Sequence, residues 1–189
     1  MTQPTDDQVR EFVIAAHGDL GKVQELLAAE PELLNVSHAW SDTDHESPIQ
    51  AAAHVGNREI AEFLLEKGAP LAIATAAMLG RRDHIEEILA GDPTMIKETG
   101  AHGIPILAHA AWNGDTHLFS WLVDHDATEG MSFALGNAVT FGHQDLVEWI
   151  LAHGKPDLTW TDFTGKTPVQ IAEDKGFAEI AEMLRNTKA

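Results

Sequence analysis

The chain has 189 residues, 44% hydrophobic and 22% charged, enough apolar material for one packed domain or a short repeat array and too much for a disordered chain. Its 12 Lys and Arg against 30 Asp and Glu leave a formal charge of −18, which repels nucleic-acid phosphates and anionic lipid surfaces alike. The absence of Cys excludes disulfides, thiolate metal sites and thiol catalysis.

The N-terminal stretch Met1-Thr2-Gln3-Pro4-Thr5-Asp6-Asp7 is polar and acidic, unlike a secretory leader. The longest mostly apolar run, Ala69 to Leu79, has 11 residues, whereas a bilayer span needs about 20. A cytoplasmic protein with neither membrane nor nucleic acid as partner is expected. From there one block recurs along the chain: two small residues, a Gly, and an apolar pair about eight residues later. The first copy is Ala15-Ala16-His17-Gly18 leading to Leu26-Leu27, with one residue of slippage. The clearest copy runs from Ala51-Ala52-Ala53 through Gly56 to Leu64-Leu65. Four more follow: Ala76-Ala77 with Gly80, Ala110-Ala111 with Gly114, Ala138-Val139 with Gly142, and Ile171-Ala172 with Gly176.

Consecutive repeat glycines, at 18, 56, 80, 114, 142 and 176, are 38, 24, 34, 28 and 34 residues apart. Alternate glycines are 58 to 62 residues apart, so a two-block unit with one long and one short connection is repeated. The odd copies share a tail, Glu30-Pro31-Glu32-Leu33-Leu34 and Asp92-Pro93-Thr94-Met95-Ile96, with Lys155-Pro156-Asp157-Leu158 as a looser version. Each block reads as two short antiparallel helices. Ile60, Phe63 and Leu64 lie at i, i+3, i+4 spacing, as do Leu118, Trp121 and Leu122, and Leu146, Trp149 and Ile150. The Gly stops the first helix, because only Gly enters the left-handed region cheaply. Ser47-Pro48 and Thr167-Pro168 place a capping hydroxyl ahead of a Pro at the first helical position. No helix buries its apolar face alone, so the blocks must stack.

Thr167-Pro168-Val169-Gln170-Ile171-Ala172 and Ser47-Pro48-Ile49-Gln50-Ala51-Ala52 resemble the Thr-Pro-Leu-His-x-Ala motif of ankyrin repeats, and Gly68-Ala69 closes its block as that pattern does. The resemblance covers roughly residues 10–186. It departs from the pattern in having Gln50 and Gln170 where the motif has His. The Thr-Pro pair is also missing from the copies starting near Leu71 and Phe133. What it implies is an all-α solenoid of about six helix pairs in one domain, with repeats near 5–46, 47–69, 70–104, 105–130, 131–166 and 167–189. The 24- and 28-residue steps are too short for a full finger loop, so some fingers are expected to be truncated. Three should project, at 36–46, 97–104 and 158–166. The resemblance further implies a concave face of first helices and finger tips that binds a protein.

Candidate contact residues follow from that arrangement. Trp40, Trp160 and Phe163 fall in fingers, where each either packs on its own repeat or anchors a partner. The residue two before each Gly should face the concave side: His54, Met78, Trp112, Thr140 and Asp174. Trp112 is the first choice among these, with Asp42, His54, His102 and His109 completing the partner-binding set. Trp121 and Trp149 read as second-helix core. The other reading of the His-rich side is a small-molecule or metal-dependent site drawing on His45, His54, His102 and His109, near Asp42, Asp44 and Glu46. It lacks a His-Glu-x-x-His or EF-hand pattern, so the histidines are read as scattered and solvated, with no metal site and no cofactor expected. His17, His84, His117, His125, His143 and His153 are placed around second helices or their ends. No Gly-x-Ser-x-Gly elbow or phosphate-cradling loop is present, and the helix carboxylates read as solvated faces. The expected function is therefore a non-enzymatic protein-interaction module, monomeric or weakly self-associating. Its charge favours a neutral or basic partner segment.

Overall fold

A computed structural model describes residues 3–187. Met1, Thr2, Lys188 and Ala189, which the sequence reading assigns to the acidic start and the last repeat, lie outside the described residues. The described chain forms twelve α-helices in six antiparallel pairs: α1 (Asp6–Ala16) with α2 (Leu20–Ala29), α3 (Pro48–His54) with α4 (Arg58–Glu66), α5 (Ile73–Leu79) with α6 (Arg82–Gly91), α7 (Ile106–Asn113) with α8 (Thr116–Asp124), α9 (Met131–Phe141) with α10 (Gln144–His153), and α11 (Pro168–Lys175) with α12 (Ala178–Asn186). First helices pack on first helices in chain order, α1 on α3 and so on to α11. The small residues Ala51, Ala52, Ala76, Ala77, Ala110, Ala111 and Ala138 are buried in that layer, where the lack of a bulky side chain lets the backbones approach. The result is a stacked helical solenoid.

Local chemistry sets the element ends. Ser47 and Thr167 open capping boxes in which Gln50 and Gln170 accept from the cap N–H at 3.0 and 2.9 Å. The Gln that replaces the motif His is therefore a capping residue. Gly80, Gly114, Gly142 and Gly176 end their helices with φ of +72 to +77°, as the repeat pattern requires. Gly18 departs from this: it has no positive φ. His17 instead closes α1 with helical dihedrals, which accounts for the slippage of the first copy. The shared tails Pro31–Asn35 and Pro93–Lys97 fold as 3₁₀ turns.

Three long connections form fingers. The first carries the only strand pair among the described residues, β1 (His38–Ala39) against β2 (His45–Glu46). The second is closed by a single Thr99–Pro105 bridge. The third, beyond α10, is held by Asp162, whose carboxylate accepts from the N–H groups of Thr164 and Lys166. No finger separates α8 from α9, and α9 begins directly after the 125–130 turn.

The buried apolar residues fall in two clusters. One, centred on Phe12, Leu33, Ile60 and Leu64, fills the first two pairs and reaches Met78 and Leu79 at the end of α5, and Trp112 packs on it from α7. The other runs from Ile73 and Ile85 to Leu184. Trp121 and Trp149 are only half-buried, contrary to the sequence expectation. An indole is too large for the second-helix interior, and each lies at its margin against the imidazole one turn on, His125 and His153, at 4.0 and 4.9 Å between centroids.

Candidate functional site

The gap left by the missing finger is a groove. It has a volume of about 800 Å³ and is walled mainly by apolar groups. On α9, Phe133, Gly136, Asn137, Thr140 and Phe141 recur at helical spacing and turn one face into it. Ile104 borders it from the second finger, and Trp160, Asp162 and Phe163 from the third. Trp160 stacks on Phe133 at 5.3 Å and 29°. It lies so flat on α9 that a Cβ at Gly136 would run into its ring. Trp112 forms the opposite wall, edge-on to Phe141 at 4.8 Å, with its Nε1 donating to the His54 carbonyl at 3.0 Å. Its indole covers Gly56, where an added Cβ would lie 2.9 Å from the ring. Phe163 is fully exposed and Phe141 half-exposed, so the rim offers aromatic surface without a cover. Lys166 and Asp174, 2.7 Å apart, edge the far end.

Gly136 gives a direct test of this packing. Glycine inside a helix costs about 1 kcal/mol relative to Ala. Gly136→Ala should nevertheless not raise stability, because the methyl meets Trp160. In a Trp160→Ala background the same change should stabilise by up to ~1 kcal/mol. Urea denaturation of the four proteins in a double-mutant cycle reads the difference.

At the N-terminal end of the groove, polar groups gather around Glu46. This residue is completely buried, at the end of β2. Trp40 Nε1 donates to its Oε2 at 2.8 Å. His54 Nδ1 lies 2.7 Å and His102 Nε2 3.3 Å from Oε1, and His17 Nε2 lies 3.7 Å from Oε2. The rings of His17 and His102 flank that of His54 at 4.8 and 4.9 Å. Burial alone pushes the Glu46 carboxyl up, but His54 and Trp40 beside it, with the charges of His54 and His17, outweigh burial and leave it lowered. The pieces come from four places: the end of α1, the first finger, the end of α3, and the second finger, where His102 adopts φ +58°. The left-handed region is uncommon for a non-glycine residue, though His tolerates it better than most.

Two family models match the chain. One, described as ankyrin repeats in three copies, covers residues 107–189. The other, described as ankyrin repeat, covers residues 44–76. Together they span well over half of the sequence. The chain belongs to the ankyrin-repeat family. No curated protein matches it. The ankyrin assignment explains the stacking and the finger positions, and ankyrin repeats in general are protein–protein interaction modules. Among the described residues, no helix is long and apolar enough to cross a membrane.

The ankyrin stack brings some of the sequence candidates together and separates others. His54, His102, Trp112, Trp160 and Phe163 all line the one groove, as do Thr140 and Asp174. Trp40 lies outside it, packed edge-on against His38 at 4.5 Å and bound to Glu46. Asp42 stands exposed in the bend of the first finger. Met78 is buried in the cluster on which Trp112 packs. Two of the four histidines proposed for a shared site do not join it. His45 is exposed on the strand, its side chain alternating with that of buried Glu46. His109 is sealed beneath Gly100, where an added Cβ would lie 2.5 Å from its ring. Glu46 and His17 are the members that sequence reasoning missed. Glu46 passed as a neighbouring carboxylate, and His17 was placed with second-helix ends although it closes a first helix. The signal available was strand alternation, which sends Glu46 inward when His45 faces out.

Proposed function

We propose that this chain is a non-catalytic interaction module that holds a neutral or basic segment of a partner protein, with a large apolar side chain of that segment seated between Trp112 and Trp160. The observation that carries this reading is the aromatic groove itself, rimmed by a Phe163 side chain with no packing partner. Aromatic walls held on stacked helices lose little entropy on binding, so a few anchors suffice. The formal charge of −18 steers a basic segment toward the module.

Selection of peptides from a random display library on the purified chain tests this. Recovered peptides are expected to share an aromatic or branched apolar residue flanked by Lys or Arg. They should bind at least 10-fold more weakly to Phe163→Ala and to Trp112→Ala, and more weakly still as salt rises. Phe163→Ala carries the comparison, since a fully exposed side chain can be removed without cost to the fold. Peptides indifferent to Phe163, Trp112 and salt would overturn the reading. A small apolar molecule is the second reading, favoured by a volume of about 800 Å³, within the range of ligand pockets. Thermal-shift stabilisation by such compounds, lost in Trp160→Ala, would favour it over a peptide.

A further inference from the structure

The groups around Glu46 do not balance as a hydrogen-bond network. His17 Nδ1 lies 2.9 Å from the Val13 carbonyl and so carries the hydrogen that it donates there. His102 Nδ1 lies 2.7 Å from Asp44 Oδ2 and donates to it in the same way. In each neutral ring Nε2 is then a bare lone pair, and both lone pairs face the Glu46 carboxylate. His54 Nδ1 is 2.7 Å from Oε1 but out of line for a hydrogen bond. Both atoms are therefore shielded from water without a hydrogen-bonding partner. A fully buried carboxylate that faces three imidazole nitrogens calls for positive charge among them, which either protons on the rings or a bound cation supplies.

We propose that His17 Nε2, Glu46 and His54 Nδ1 form a divalent metal site at the head of the groove, with His102 as an additional ligand. The three donor atoms already lie within 4.8 Å of one another. Ligands at about 2.0–2.2 Å from an ion of the zinc class stand roughly 3–4 Å apart, so side-chain rotations suffice to seat one. The supporting contacts are those that metal-binding histidines need. A backbone carbonyl fixes the tautomer of His17, Asp44 fixes that of His102, and Trp40 orients the carboxylate. Two or three imidazoles with one carboxylate select zinc, iron, nickel or copper over magnesium and calcium, which require oxygen donors. His54 and His102 also line the groove, so the site adjoins it, but a metal is inferred from the donor atoms and not from any occupant of the groove.

The test uses the full chain, purified without a histidine tag, stripped with chelator and titrated with Zn²⁺ and Co²⁺. One equivalent of Zn²⁺ is expected to bind, and Co²⁺ to give visible ligand-field bands. His54→Ala, His17→Ala and Glu46→Gln should each weaken zinc binding at least 100-fold and abolish the cobalt bands. His38→Ala and His45→Ala should leave both unchanged. Should Glu46→Gln fail to fold by circular dichroism, the partly exposed His17 and His54 carry the same comparison. Absence of zinc uptake, or uptake indifferent to His17 and His54, overturns the proposal. So does imidazole NMR showing doubly protonated His17 and His102 at pH 7 with no change on adding zinc, since protons would then supply the missing positive charge.

Discussion

Phe119→Ala is expected to lower stability by about 3–5 kcal/mol, the usual cost of emptying a large buried aromatic site. Phe119 is completely buried on α8 and meets Trp149 of α10 edge-on at 5.6 Å. It sits in the second-helix layer between neighbouring pairs, where Leu118, Leu122, Leu146 and Ile150 are also buried. In a stack whose cohesion is a sum of nearest-neighbour interfaces, damage in the middle weakens both flanking contacts. Urea denaturation followed by far-ultraviolet circular dichroism should show a lower midpoint, and a shallower or two-step transition if the halves uncouple. A cost below 1 kcal/mol would mean that the second-helix layer does not hold the stack together.

Acidification from pH 7 to pH 4 should remove about 3 kcal/mol through His109 alone. Its imidazole pKa is pushed down to about 4, first by burial and then by the charge of His54, while the Pro105 carbonyl that accepts from Nδ1 works in the opposite direction. The unfolded chain binds this proton below its ordinary value of 6.5, whereas the folded chain takes it up only near 4. Between those values the unfolded state holds more protons, so stability falls as pH falls, by about 1.4 kcal/mol for each unit of separation. Glu46 acts lower on the scale. Its carboxyl is lowered, so its contribution is present above its ordinary value of 4.5 and is lost only as pH falls below that. Denaturation midpoints for the natural chain and His109→Gln across pH 4 to 7.5 separate the two, because the variant should lose the slope between 6.5 and 4.5. An unchanged slope in the variant would remove His109 as its source.

Most of the fold could be read from the repeat. Spaced Ala pairs, Gly stops and the Ser47-Pro48 and Thr167-Pro168 starts are local signals, and stacking follows because a single hairpin leaves its apolar face open. The short steps also announced where fingers would be lacking. What the steps could not reveal is that the gap between α8 and α9 becomes a groove, since that depends on Trp160 folding back across Gly136 from 24 residues away. The polar cluster was harder still. His17, Glu46, His54 and His102 are spread over 86 positions, and only the rise of the stack brings four unrelated loop and helix ends to one point. His45 and Glu46 are adjacent in sequence, yet the strand sends them to opposite faces.

Directional ties run along the ends of the first helices. Asn57 reaches the His17 carbonyl, Arg58 that of Leu79, Trp112 that of His54, Asn113 that of Met78, and His143 that of Trp112. Most link adjacent pairs, and the Trp112 tie skips over α5 altogether. Oily contacts between layers permit sliding, but bonds of fixed length and angle do not. Such a seam fixes the register of the first five pairs in a way that apolar contact alone would not.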